Sequence, residues 1–201
     1  AGAGSAGRIP DVAVRNPHPA RVLNLSMEFP GRCPRSLQEA IRDVTAAGAL
    51  VVAAAGNQAR PASGFYPANC RGVLAVHATD VDGGRAPYSN YGAVDLSAPG
   101  GVMAFEPDGG VLSTSFRGER GAGAYDFAFK EGTSMAAPLV AGVASLVLSV
   151  RPALAPGPLR NLLAQTARPF PAGTGSDCVD AGPLSCGAGI VDAAAAVAAV
   201  D

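Results

Sequence analysis

The chain has 201 residues, of which 48% are hydrophobic and 15% charged, and its net charge is −1. A near-neutral chain with no Lys/Arg run lacks the basic patch that phosphates require, so a nucleic-acid partner is excluded. The length fits one domain or a large part of one, and a charged share well under the usual ~25% points to a chain that buries much of itself.

No signal-peptide pattern opens the chain at Ala1, so any leader lies outside this sequence. Residues 1–7 are small and featureless, and Asn16-Pro17-His18-Pro19 reads as an exposed loop. Residues 21–26 read as a buried strand and 27–34 as a loop. Ser36-Leu37-Gln38-Glu39 has the form of a capping box. Leu37, Ala40, Ile41, Val44 and Ala47 then recur at helical spacing, and Gly48 supplies the stop. Residues 50–55 are a second apolar strand, ended by Gly56-Asn57. Strand, helix, strand at this spacing is a βαβ unit and predicts a parallel sheet. Residues 59–71 read as loop, 73–78 as a strand, and 80–90 as a turn region around Asp82-Gly83-Gly84. Short strands are predicted at 94–97, 110–114 and 125–129, and helices at 157–166 and 192–200. There is no internal repeat and no second domain.

One stretch stands apart: Glu131-Gly132-Thr133-Ser134-Met135-Ala136-Ala137-Pro138-Leu139-Val140-Ala141-Gly142. No charged residue occurs from Met135 to Val150. A helix apolar on every side belongs in a protein interior. It falls short of the roughly 20 residues a membrane span needs, and Pro138, Gly142 and Ser145 interrupt it. Gly132 permits a sharp turn, and Thr133 is placed to cap the first free N–H groups. Ser134 then sits at the positive end of the helix dipole, where developing negative charge is stabilised. A hydroxyl fixed there suits a nucleophile, and simple capping is the plain alternative. An α/β-hydrolase elbow does not fit. Ala136 stands where its last glycine belongs, and no histidine follows Ser134.

Four cysteines, Cys33, Cys70, Cys178 and Cys186, allow three pairings. The short Cys178–Cys186 separation suits a local bridge, with Cys33 and Cys70 across a longer loop; four free buried thiols are the alternative. Neither Cys-x-x-Cys nor a Cys/His cluster appears, so no metal site is predicted. Two bridges would place the chain in an oxidising compartment.

The string from Gly132 to Pro138, followed by Val140-Ala141-Gly142, closely resembles the serine segment of the subtilisin-like serine proteases, the subtilases. The resemblance implies a three-layer α/β/α fold with a mostly parallel sheet. It also implies that Ser134 is the nucleophile of a Ser-His-Asp endopeptidase working through an acyl-enzyme. Leu139 stands where the family commonly has a non-catalytic His. Val51-Val52-Ala53-Ala54-Ala55-Gly56-Asn57 resembles the strand that ends in the oxyanion-hole asparagine, which implies that role for Asn57. Asn24-Leu25-Ser26-Met27 looks like the strand that binds substrate ahead of the scissile bond. The resemblance implies that Leu25, Ser26 and Met27 bind substrate, with Ala54, Ala55, Gly56, Tyr66 and Thr133 completing the cleft. Tyr88-Ser89-Asn90-Tyr91-Gly92, Ser97-Ala98-Pro99-Gly100 and Cys186-Gly187-Ala188-Gly189-Ile190-Val191 are further subtilase-like strings. Secreted members from Gram-negative bacteria resemble the chain at its cysteines, implying the same two pairs and a secreted location. The family needs no cofactor for catalysis. Its members often bind structural calcium, but no dense carboxylate loop here nominates a site. Glu28 stands at the pocket rim where many relatives have glycine, and its carboxylate would favour a basic substrate side chain.

Subtilases run Asp, then His, then Ser, and the segments carrying the first two should precede residues 21–26. They do not appear here. The two histidines are His18, between prolines, and His77, inside a predicted buried strand and without the Gly-Thr that follows the family's catalytic histidine. The order His77, Asp95, Ser134 would mimic chymotrypsin, but no Gly-Asp-Ser-Gly surrounds the serine. Residues 1–201 are therefore expected to form the C-terminal part of a subtilase catalytic domain. A partner segment or chain would supply Asp and His, and the substrate would be a protein or peptide. The competing expectation is an incomplete fragment acting as a binding module. Having both Asn57 and Ser134 favours the first.

Overall fold

The computed structural model describes residues 16–104, 106–117, 123–172, 178 and 185–201. The strands are β1 (Val22–Leu25), β2 (Phe29–Pro30), β3 (Leu50–Ala54), β4 (Phe65–Tyr66), β5 (Val73–Thr79), β6 (Leu96–Pro99), β7 (Val111–Arg117) and β8 (Ala124–Lys130). The helices are α1 (Arg35–Ala46), α2 (Thr133–Val150), α3 (Pro156–Gln165) and α4 (Ala193–Ala198). Four strands form one sheet in the order β1-β3-β5-β6, and every neighbouring pair is parallel.

Strand β3 explains the layering. Its Leu-Val-Val-Ala-Ala run is buried at every residue, as a strand covered on both faces must be. Successive side chains point to opposite faces. Leu50, Val52 and Ala54 join the core shared with α2, α3 and α4, while Val51 and Ala53 join the core under α1 with Ile41. The three layers are thus α1, the sheet, and α2 with its neighbours. This is the α/β architecture expected from the sequence.

Three local readings change. The capping box at Ser36 does not form. Helix α1 begins at Arg35 behind Pro34, with no side-chain cap. Arg35 and Glu39 instead pair one turn apart, and the Gln38 amide exchanges two hydrogen bonds with the backbone of Arg71. The 27–34 and 59–71 loops contain the two-residue ladder of β2 with β4, where Phe29 stacks on Tyr66 at 5.3 Å between ring centroids. A two-residue strand carries no readable period. Finally, α2 is not enclosed on all sides. It packs on β1, β3, β5 and β6 through Ala136, Val140, Ala144 and Val147, but Leu139, Leu146 and Val150 stay 39–52% exposed. By length and mean hydropathy of 1.8 the helix could cross a membrane, yet half of it is buried within the fold.

Candidate active site

The site lies where β3 leaves the sheet and α2 begins. In an open parallel sheet, ligands bind outside the carboxyl ends of the strands. After Ala54 the chain turns through Gly56, at φ +109°, a conformation that favours glycine. Asn57 follows and is exposed.

Gly132 makes the opposing turn, at φ +139°. Its N–H donates to the Gly100 carbonyl (3.0 Å) and to the Tyr88 hydroxyl (2.9 Å). The Tyr88 hydroxyl in turn donates to the Gly101 carbonyl at 2.6 Å. Burial pushes the pKa of Tyr88 well above its ordinary 10.0, against the lowering effect of the Gly132 N–H bond and with a smaller push from the Glu131 charge. Tyr88 therefore remains a protonated strut under the turn that presents the serine. The sequence marked it only as part of a subtilase-like string at the end of a predicted turn region.

Thr133 does not cap the helix; Gly132 is the N-cap and makes no side-chain bond. Side chains of a helix lean toward its N-terminus, so the Thr133 hydroxyl reaches back onto the end of β3. There it donates to Asn57 Oδ1 (2.9 Å) and accepts from the Gly56 N–H (3.1 Å). The Thr133 N–H also donates to Asn57 Oδ1, at 2.9 Å. With Oδ1 held twice, the free end of the Asn57 amide is Nδ2, a donor. Thr133 itself is fully buried, so its side chain lies beneath the cleft.

Ser134 is half-buried. Its Oγ has one partner among the described residues, the Ser26 carbonyl at 3.4 Å, and Ser26 Oγ donates to the Ser134 carbonyl at 2.9 Å. The Ser134 N–H, in the first turn of α2, has no acceptor among the described residues. The structure thus gathers a hydroxyl and two donors, Ser134 N–H and Asn57 Nδ2, at a helix N-terminus. Such donors stabilise an oxyanion.

Of the other cleft residues, Ser26 and Met27 are exposed, Met27 at 49%. The side chain of Leu25 packs toward the α1 core, as does that of Tyr66. Ala54 and Ala55 are 2% and 0% exposed, so neither presents a side chain to the surface. Asn90, wholly buried, clamps the loop after Asn57. Its Oδ1 accepts from the N–H groups of Gln58 and Arg60, and its Nδ2 donates to the Ala55 carbonyl and to Gln58 Oε1.

Neither histidine supplies a base to Ser134. His18 is exposed, and its N–H bonds Asn16. His77 is fully buried in β5, with Nδ1 3.0 Å from Ser97 Oγ. Ser97 Oγ donates to the Cys186 carbonyl, so Nδ1 carries the proton. Burial, helped by the Arg85 charge, lowers the His77 pKa from 6.5 to about 3. Asp95 braces the fold instead, pairing with Arg160 and accepting from the Ala75 N–H.

Both disulfides form as the spacing and the resemblance suggested, Cys33–Cys70 and Cys178–Cys186. Among the described residues the one Cys/His/acid grouping of metal-site size is His77 with Cys178 and Cys186, and its two sulfurs are bonded to each other. Among the described residues no three carboxylates converge.

Residues 3–189 match the Subtilase family. The chain is 44% identical over 186 residues to an extracellular protease of Xanthomonas campestris, covering 92% of this chain and 29% of that protein. It is 42% identical over 201 residues to an extracellular basic protease of Dichelobacter nodosus, covering 98% and 31%. A solved protease from Pseudoalteromonas arctica superposes with a TM-score of 0.88 at 42% identity, over 98% of this chain and 56% of that one. The chain therefore spans about a third of these curated relatives and just over half of that solved structure. The match runs through both the Asn57 turn and the Ser134 helix, and the chain belongs to the subtilase family.

Proposed function

We propose that this chain supplies the nucleophile and oxyanion hole of a secreted serine endopeptidase, and that a separate segment or chain supplies the catalytic His and Asp. The observation that carries the reading is the clamp of Thr133 on Asn57 Oδ1, which leaves Nδ2 and the nearby Ser134 N–H without acceptors among the described residues. In this reading Ser134 Oγ attacks the scissile carbonyl of a peptide, and its proton passes to the partner's imidazole. The carbonyl oxygen becomes an oxyanion that accepts from Asn57 Nδ2 and Ser134 N–H. Collapse expels the amine, which takes the proton from the imidazole and leaves an acyl-enzyme on Ser134. Water then hydrolyses that ester by the same steps. Peptide residues ahead of the cut would lie along Leu25, Ser26 and Met27 as an added strand. Two disulfides and relatives named extracellular support a secreted location.

The test uses the native assembly, this chain with the segment carrying His and Asp. A neutral fluorophosphonate should label Ser134 and abolish peptide hydrolysis. T133V, which removes the hydroxyl clamp but keeps the shape, should lower kcat more than it raises KM. The fall should lie between about 10-fold and the roughly 10²–10³-fold cost of losing one oxyanion donor. An assembly that leaves Ser134 unlabelled would instead support the binding-module reading.

A further inference from the structure

We infer that Glu28 is the specificity-determining carboxylate of the primary pocket, and that this pocket takes a Lys or Arg side chain on the acyl side of the scissile bond; the inference rests on the endopeptidase reading above. Glu28 lies two residues beyond Ser26, the residue that ties the end of β1 to Ser134. Its side chain is half-buried and folds back over the end of β3. Oε2 accepts the Asn57 N–H at 2.9 Å, and Oε1 accepts from Gln58 Nε2 at 2.7 Å. Gly56 makes the room. A Cβ added there would come within 2.0 Å of Glu28 Oε2, so the carboxylate occupies the face that the missing side chain leaves open.

Both partners of this carboxylate are neutral donors. The acid on β6's flank, Asp95, has Arg160 as counter-charge; among the described residues Glu28 has none. An incoming cation would supply the counter-charge that these two neutral donors do not. A carboxylate offers about four lone-pair sites. Two are used, and two remain for a guanidinium fork or an ammonium group. The two existing bonds fix the carboxylate's direction, so its charge is held against the Asn57 turn. The sequence alone left Glu28 as a rim residue; its anchoring to the Asn57 turn is a tertiary fact.

The same two bonds also admit a purely positional role, in which Glu28 only steadies Asn57. E28Q separates the two, because glutamine keeps a carbonyl acceptor for the Asn57 N–H while losing the charge. The native assembly is assayed with peptides that differ only in Lys, Arg, Leu or Phe before the cut. The expected result is a kcat/KM for Lys and Arg at least tenfold above Leu and Phe, shrinking as salt is raised. In E28Q the Lys/Leu and Arg/Leu ratios should fall roughly 10- to 100-fold, the range for a lost charge-assisted bond. Benzamidinium should slow fluorophosphonate labelling of Ser134 in the unmutated protein, a readout that needs no variant. A Lys/Leu ratio within twofold of one, an E28Q ratio equal to wild type, or labelling indifferent to benzamidinium would each overturn the inference. If Ser134 is labelled normally in those cases, only Glu28's role falls. If Ser134 is never labelled, the endopeptidase reading falls and takes this inference with it.

Discussion

Asn57 has two ends, and the residue next to the nucleophile holds one of them. Thr133 donates twice to Oδ1, which turns an exposed amide into a directed donor without any contact from substrate. Preorganisation of this kind is worth more than the presence of the donor alone. His77 shows the opposite use of a polar side chain. It titrates at about 3 when folded and near 6.5 when unfolded. Between those values the unfolded chain binds the extra proton, so stability is complete above pH 6.5 and falls as pH drops toward 3. The slope reaches about 1.4 kcal/mol per pH unit at most. Denaturant unfolding of the wild type should therefore lose midpoint more steeply between pH 6 and pH 4 than H77Q, each measured against its own value at pH 7. Parallel slopes would show that His77 is not buried neutral.

At the scale of elements, short pieces of sheet and a disulfide tie down segments outside the main sheet. The β2–β4 ladder is only two residues long, with Phe29 stacked on Tyr66. Close by, Cys33 and Cys70 join the start of α1 to the entry of β5 across 37 residues, and Cys70 is packed in the α1 core. Closing a loop of that length restricts the unfolded chain by up to about 4 kcal/mol, and the eight-residue Cys178–Cys186 loop by about 2.5 kcal/mol. C33A/C70A should thus lower unfolding free energy by about 2–4 kcal/mol in chemical denaturation, and more than C178A/C186A. If the short loop costs more, the ranking by loop closure is wrong.

For the molecule as a whole, the sheet and α2 are unequally covered. Among the described residues strand β1 has a single neighbour, β3, and the far side of α2 exposes Leu139, Leu146 and Val150. A sheet edge with unpaired backbone groups beside an apolar helix face invites a further element. Under the proposed function, the segment carrying His and Asp is expected to join that edge. Its addition should slow backbone hydrogen exchange across residues 22–25. Unchanged exchange in an active assembly would place the segment elsewhere. The residues of this chain were enough to determine much. Periodicity marked the βαβ unit, because a strand buried on both faces has to be apolar throughout, as 50–54 is. The serine and asparagine strings picked out Ser134 and Asn57 through their resemblance to subtilase segments, and the structure brings the start of α2 against the Asn57 side chain. Other features emerged only in three dimensions. Thr133 reads as a cap from its neighbours in sequence, yet its hydroxyl is claimed by Asn57, 76 residues away. The Ser36 capping box fails because the helix already begins at Arg35, and Glu39, which the box needs, pairs with Arg35 instead. Glu28 and Tyr88 acquire meaning through bonds to Asn57 and Gly132 that no local pattern encodes. Local physics specifies which segments fold and which ends are polar; long-range hydrogen bonds decide which polar group faces which, because those partners lie far apart in sequence and only the assembled sheet brings them together.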